Sequence, residues 1–359
     1  MANSSKRNLK NKFFESMGLS VITSSIALVL AILAGAVLIL LSGTNPIEAY
    51  GALIKGAFGT PVAFTATLSK SVPLLLSGLA VALAFKCSVF NIGVEGQLMV
   101  GAMAAAIAGV YFKMPAFLHI PFVLLSSMIA GMLWAFLPAI LKQKASVNVV
   151  ISTIMFNYIA QYLVQYLILG PFKASGAAAA TQTIHASAKL PVLLQKPYKL
   201  NIGVLIAILV VVAIYFLLNK TTRGYEMRAV GINPQAAHTS GINVGKNMFL
   251  ALLLSGAIAG LAGGIEVSGT LNKIINGFST GYGFSGIPVA LMAHNNPFAI
   301  IITAFLFGSM RSGSFMMQTS VGISVNMVDV IQGLIIVFLC TENVIRYYIK
   351  KRQGGKSNA

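Results

Sequence analysis

From residue 274 to residue 310 the chain carries no Asp, Glu, Lys or Arg, and residues 18–41, 114–141, 145–172 and 200–219 are equally free of charge. Each window matches or exceeds the roughly 20 residues that cross a bilayer as helix. Lipid offers no water to backbone N–H and C=O groups, so a spanning segment must be a helix or part of a closed barrel. Barrel strands alternate apolar and polar residues over short segments, whereas these runs are continuous. The sequence therefore reads as an all-α polytopic membrane protein. Only 9% of the 359 residues are charged, against about 25% in soluble domains.

The net charge of +18 would suit nucleic acid if it lay on one face, but it gathers at segment ends. Lys6, Arg7, Lys10 and Lys12 precede the first apolar run, and Arg346, Lys350, Lys351, Arg352 and Lys356 follow the last. Such clusters report orientation and attraction to anionic membrane lipid, so no nucleic-acid partner is expected. Cys87 and Cys340 form no disulfide framework. His119, His185, His238 and His294 show no ligand spacing, so no metal is expected. Gly354-Gly355-Lys356-Ser357 has the tail of a phosphate-binding loop, but Lys350 stands where its first glycine belongs. No cofactor and no catalytic residue is predicted.

Ten spans are predicted: residues 18–41, 71–85, a third ending at Tyr111, 119–141, 148–169, 201–219, 248–265, 284–293, 297–310 and 326–344. The first apolar run is too long for a signal-peptide core and reads as a retained helix. Residues 42–70 and 170–199 become external loops, the second with an Ala/Ser/Thr-rich composition suited to mobility. The transmembrane domain then covers residues 18–345, between tails at 1–17 and 346–359. An even number of spans places both termini inside a cell membrane, and most of the basic residues fall on that side.

Residues 221–247 form the long polar interruption of the second half. Asn233 can act as N-cap, Pro234 fits the first helical position, and Gly241 can adopt a left-handed stop. The prediction is a short capped helix with small side chains, held between spans by a basic loop. That surface suits docking to a large partner.

Leu74-Leu75-Leu76-Ser77-Gly78 recurs as Leu252-Leu253-Leu254-Ser255-Gly256. A Gly-x-x-Gly follows each, at Gly93/Gly96 and Gly283/Gly286, and the predicted spans run in opposite directions. Two inverted repeats of the kind transporters use are therefore expected. Among the few polar residues inside the apolar runs, Glu95 follows Asn91 beside a predicted break. It either lines a functional path or braces the start of the next span. Asn157 and Gln161 share a helix face at i, i+4, and either line a polar path or bond neighbouring helices. Asp329 and Gln332 form an i, i+3 pair on the last span.

Five blocks now assembled resemble a known family: residues 90–102 (FNIGVEGQLMVGA), 152–160 (STIMFNYIA), 228–244 (RAVGINPQAAHTSGINV), 286–297 (GIPVALMAHNNP) and 328–336 (VDVIQGLII). They look like the membrane permeases of bacterial ABC importers for branched-chain amino acids, simple sugars and nucleosides. The Asn-Tyr of the fifth span and the basic Asn-Pro-x-Ala-Ala loop are most similar to nucleoside-uptake permeases. One departure is Asn148-Val149, where similar proteins often carry Asn-Glu. The resemblance implies a ten-span permease fold like that of vitamin B12 importers, working by alternating access. It also implies a cytoplasmic ABC ATPase, a second permease chain in a heterodimer, and an extracellular substrate-binding lipoprotein. Residues 220–247 become the coupling loop, with Glu226, Arg228, Gly231, Asn233, Pro234, Ala236, Ala237 and Gly241 seating on the ATPase. Asn91, Glu95, Asn157, Gln161 and Asp329 are the candidates for the substrate pathway. The competing reading is a secondary carrier in which Glu95 or Asp329 cycles an ion. An intramembrane enzyme lacks a nucleophile–base pair.

Overall fold

A computed structural model describes residues 26, 28–176, 179–194, 197–198 and 200–340. The predicted tails and the ends of the first and last spans lie outside these residues. Thirteen α-helices are described: α1 Leu28–Leu41, α2 Pro46–Phe58, α3 Pro61–Phe85, α4 Val94–Tyr111, α5 Ala116–Ala145, α6 Val149–Leu169, α7 Gly203–Lys220, α8 Thr222–Ile232, α9 Pro234–Thr239, α10 Val244–Glu266, α11 Tyr282–Met292, α12 Pro297–Val321 and α13 Asn326–Cys340. α10 continues as a π-turn over Val267–Leu271. Six of them (α3, α4, α5, α7, α10 and α12) are long and apolar enough to cross a membrane, or seven spans if α1 and α2 count as one broken span bent by 117°.

The chain divides into two compact units, Ile54–Gly313 and the described parts of Met1–Leu53 with Ser314–Ala359. In the second of these, Gly35 of α1 lies against the Tyr50 hydroxyl and Ile331, and Tyr50 Oη donates to the Ile32 carbonyl at 2.7 Å.

Within Ile54–Gly313, α10 is the central helix, packed on α3, α4 and α5. Lipid gives no hydrophobic drive between helices, so close backbone approach through small residues supplies the attraction. A side chain on Gly260 would strike the Ser127 carbonyl and Gly131 of α5, and one on Gly101 of α4 would strike Gly260 itself. Gly256 lies against Ala135 and Gly131 in the same way. By contrast α5 and α7 turn Leu133, Phe117, Leu209 and Phe216 outward, as lipid-facing helices do.

Two predicted loops are corrected. Residues 42–70 hold α2 and the first turns of α3, because Asn45-Pro46 and Thr60-Pro61 each start a helix. The Ile47 N–H donates to Asn45 Oδ1 at 3.0 Å and the Ala63 N–H to Thr60 Oγ1 at 3.1 Å. The described part of 170–199 is pinned rather than loose. His185 N–H donates to the Gly109 carbonyl and Leu190 N–H to the Ser268 carbonyl, and Val192–Leu194 pairs antiparallel with Leu200–Asn201. The break at 294–296 occurs as expected, with His294 and Asn295 at φ +49° and +56°. α12 nevertheless runs past 310, carrying Arg311, which donates to Thr280 and lies 4.2 Å over the Tyr282 ring. The recurring Leu-Leu-Leu-Ser-Gly motifs sit on α3 and α10, where Ser255 Oγ donates to the Ala80 carbonyl at 2.7 Å.

Gly260→Val should collapse the folded yield in detergent, since overpacking costs at least about 1–3 kcal/mol. Gly51, exposed on α2 with open space around it, is the control. Gly51→Ala should keep the yield, with a gain of about 0.5–1 kcal/mol in helix preference. Size-exclusion profiles of the two extracts check this; equal loss would contradict the packing account.

Candidate functional site

Two places in Ile54–Gly313 gather the polar residues singled out in the sequence. The first is where α4 and α11 begin inside the protein. A helix start leaves four N–H groups without partners, and among apolar helices no water supplies them. For α4 the partner comes from α6. Asn157 Oδ1 accepts the Gly96 N–H at 2.9 Å, and Asn157 Nδ2 donates to the Ile92 carbonyl at 2.9 Å. For α11 it comes from α4. Glu95 Oε2 accepts the Gly283 N–H at 2.6 Å, and Oε1 accepts from Ser279 Oγ at 2.5 Å. The carboxylate thus sits at the positive end of α11, where the helix dipole favours it. Gly283 has no side chain to spare here, since a Cβ would strike the Glu95 backbone.

Asn91 completes the arrangement. Its Oδ1 accepts the Gly93 N–H at 2.9 Å, while Nδ2 donates to Gln97 Oε1 at 3.0 Å and Ser255 Oγ at 2.9 Å. Asn91, Gln97 and Ser255 are all buried. Beside them lies a cavity of about 250 Å³ lined by Glu95, Asn157, Tyr158, Gln161, Gln165 and Phe278, among others.

The second place is the α8–α9 elbow. Asn233 Oδ1 accepts the N–H groups of Gln235 and Ala236 at 3.0 and 3.1 Å, Pro234 holds the first helical position, and Gly241 has φ +81°. The capped helix is as predicted. The basic loop before it is instead the helix α8, started by Thr221, whose Oγ1 accepts the Gly224 N–H at 3.0 Å. Its inner face, Met227 and Val230, packs with Ala237, Cys87 and Ala251. Gly231 lets the Lys86 carbonyl approach. Burial pushes the Cys87 thiol up to about 12, which leaves it unreactive at neutral pH. Burial and the neighbouring Arg228 guanidinium hold Lys86 below the usual lysine range.

Residues 63–340 match the family described as the permease component of branched-chain amino acid transport systems. The chain belongs to that family. It is 41% identical over 338 residues to the guanosine ABC transporter permease NupP of Bacillus subtilis, covering 93% of this chain and 97% of that one. It is 33% identical over 348 residues to the nucleoside ABC transporter permease NupB of Lactococcus lactis, with 94% and 95% covered. The glucose ABC transporter permease TsgB13 of Haloferax volcanii is 32% identical over 336 residues, with 91% and 88% covered.

In this permease Glu95, Asn157 and Gln161 come together at the α4–α6–α11 junction, while Asn91 faces Ser255 of α10. Asn157 and Glu95 are engaged as caps, whereas Gln161 is exposed. Asp329 belongs to the other unit and is exposed in the first turn of α13. On the elbow, Ala236 is exposed, but Ala237 is only 4% exposed and faces inward. Ala237 packs inward with Cys87, Met227 and Val230, so of the two alanines only Ala236 is open on the surface of this chain. Glu226 also points to its own chain, accepting from Arg223 at 3.2 Å and Asn247 Nδ2 at 3.1 Å. Two outward residues were missed, Tyr225 and Ile232, the latter 87% exposed. The signal was an isolated apolar residue directly before Asn233-Pro234.

Glu95→Ala orphans the Gly283 N–H and the Ser279 hydroxyl, at about 1–3 kcal/mol per unsatisfied group. It should lower the thermal unfolding temperature in detergent clearly. Gln161→Ala should change stability by no more than about 0.5 kcal/mol, as surface changes do. Equal unfolding temperatures for the two variants would contradict the capping role.

Proposed function

We propose that this chain is one transmembrane half of an ATP-driven importer that carries nucleosides across the cell membrane by alternating access. The observation that carries the reading is the near full-length similarity to the guanosine permease NupP, joined by the nucleoside permease NupB. The chain is a transport subunit rather than an enzyme, and ATP hydrolysis belongs to a separate ABC ATPase chain. In this reading the protein is a ten-span permease of the vitamin B12-importer type. Its two inverted repeats begin at the related motifs on α3 and α10. Residues 18–345 form the membrane domain, and both tails and the 220–247 elbow face the cytoplasm. A second, different permease chain completes the pathway, and an extracellular binding lipoprotein delivers the substrate.

The α8–α9 elbow supports the coupling assignment by its shape. Asn233, Pro234 and Gly241 fix the short helix; Glu226, Gly231 and Ala237 brace it against the membrane domain. That leaves Ile232 and Ala236 outward as the surface for the ATPase, with Arg228 half-buried between the two faces. The cavity at the α4–α6–α11 junction, with Gln161 exposed in it, is the proposed stretch of pathway. An ion-driven carrier would need a carboxylate free to exchange its charge, and Glu95 is committed to the start of α11.

Co-expression with the ATPase and purification in mild detergent tests the elbow. Ala236→Trp should leave the yield of this chain intact and lose most of the co-purifying ATPase. Ala237→Trp should lower the yield of the chain itself, because the residue is packed inward. Full ATPase recovery with Ala236→Trp would remove the elbow from the docking surface.

A further inference from the structure

Glu266, the last residue of α10, is 7% exposed. Thr270 hydrogen-bonds its carboxyl group, and two cations act on it electrostatically, Arg311 of α12 and Lys70 of α3. Close packing brings those cations together. A Cβ on Gly308 would strike Ser71, so α12 and α3 touch, and Lys70 Nζ donates to the Arg311 carbonyl at 3.3 Å. Charged groups among apolar helices are costly, pair with one another and mark functional places. What Arg311 reaches from this cluster is therefore informative.

A guanidinium carries five donors in a rigid fork. That of Arg311 donates to both the carbonyl and the hydroxyl of Thr280 and lies 4.2 Å over the Tyr282 ring. Thr280 belongs to the strap 276–281, which leads into α11. Asn276, Gly277, Phe278, Ser279 and Gly281 of this strap form the non-helical wall of the 250 Å³ cavity; its other lining residues stand on α4, α6 and α11. Gly277 and Gly281, at φ +73° and +83°, bracket the strap, and Phe278 between them is buried. The Asn276 N–H, bonded to the Ala179 carbonyl at 2.9 Å, anchors its start. Consecutive residues are then tied to opposite charges: Ser279 to Glu95 of α4, Thr280 to Arg311 of α12.

We propose that Arg311 is a positioning residue for transport: its grip on Thr280 and Tyr282 holds the strap, and Phe278 with it, across the cavity. Release of that grip lets the strap turn on Gly277 and Gly281 and opens the cavity. The proposal rests on the reading of this cavity as pathway and deepens it by naming the wall that moves. The helical walls are fixed by backbone ladders and, on α4, by glycine contact with α10. The strap is fixed by side-chain bonds, which can break without unfolding a helix, and a few loop residues suffice as hinges.

The test uses the complete importer (this chain with its ATPase, second permease chain and binding lipoprotein) in proteoliposomes. Met99, 8% exposed on the cavity lining, is replaced by cysteine in a Cys340→Ala background, and its modification by a small water-soluble methanethiosulfonate is timed. Arg311→Gln should speed labelling at least about tenfold, the effect of losing a charge-assisted hydrogen bond, and guanosine uptake should fall with it. Arg311→Gln combined with Glu266→Gln restores the parent's net charge in the cluster, yet labelling should stay fast, because the grip on Thr280 is still missing. If the Arg311 variants fail to assemble, Thr280→Val removes one of the gripped groups and should speed labelling in the same direction. Parent-like labelling in the double variant, or in Thr280→Val where that is the variant read, overturns the grip and leaves the pathway reading standing. Fast labelling with unchanged guanosine uptake overturns the pathway reading, and with it the role of Arg311 in transport.

Discussion

The Glu95 carboxylate, buried among helices with the Gly283 N–H and the Ser279 hydroxyl as its donors, is the interaction on which the arrangement around it depends. α11 starts inside the protein, and an uncapped start there would leave amide groups with neither water nor protein to satisfy them. Asn157 does the same for α4 with a neutral amide. Each cap therefore does two things. It makes a broken helix tolerable at depth, and it fixes a distance between helices: α4 to α6 through Asn157, α4 to α11 through Glu95. Asn91 extends the set to α10 through Ser255, whose hydroxyl reaches on to α3.

Around these polar joints the packing is built from glycine. Gly101, Gly131, Gly256 and Gly260 bring α4, α5 and α10 to backbone contact, which lets a bundle with no hydrophobic drive in lipid hold together. The segment 86–93 links this core to the α8–α9 elbow. One end lies under Gly231 at the Lys86 carbonyl, and the other carries Asn91 and leads into Glu95. The candidate docking face and the cavity thus share a single stretch of backbone.

Sequence patterns revealed some of these features and concealed others, for physical reasons. The elbow helix was legible because Asn233, Pro234 and Gly241 are local signals that act within a few residues. The polar set Asn91, Glu95, Asn157 and Gln161 was legible as a group, since each is conspicuous in an apolar run. Their separate roles were not: Asn157 caps a helix start 61 residues away in sequence, and no spacing rule spans that gap. α2 and α8 read as loops because each is short and carries charge, Glu48 and Lys55 on α2 and Arg223, Glu226 and Arg228 on α8. Ala237 could not be oriented because a six-residue helix has too little periodicity to show a face.

The central claim is that this permease moves nucleosides only as part of an ATP-driven assembly. Guanosine accumulation in proteoliposomes measures it directly, with the complete importer compared with this chain alone. The account predicts uptake by the complete importer that requires ATP and the binding lipoprotein, and none by the chain alone under an imposed proton or sodium gradient. Gradient-driven guanosine uptake by the isolated chain, unaffected by ATP, would contradict it.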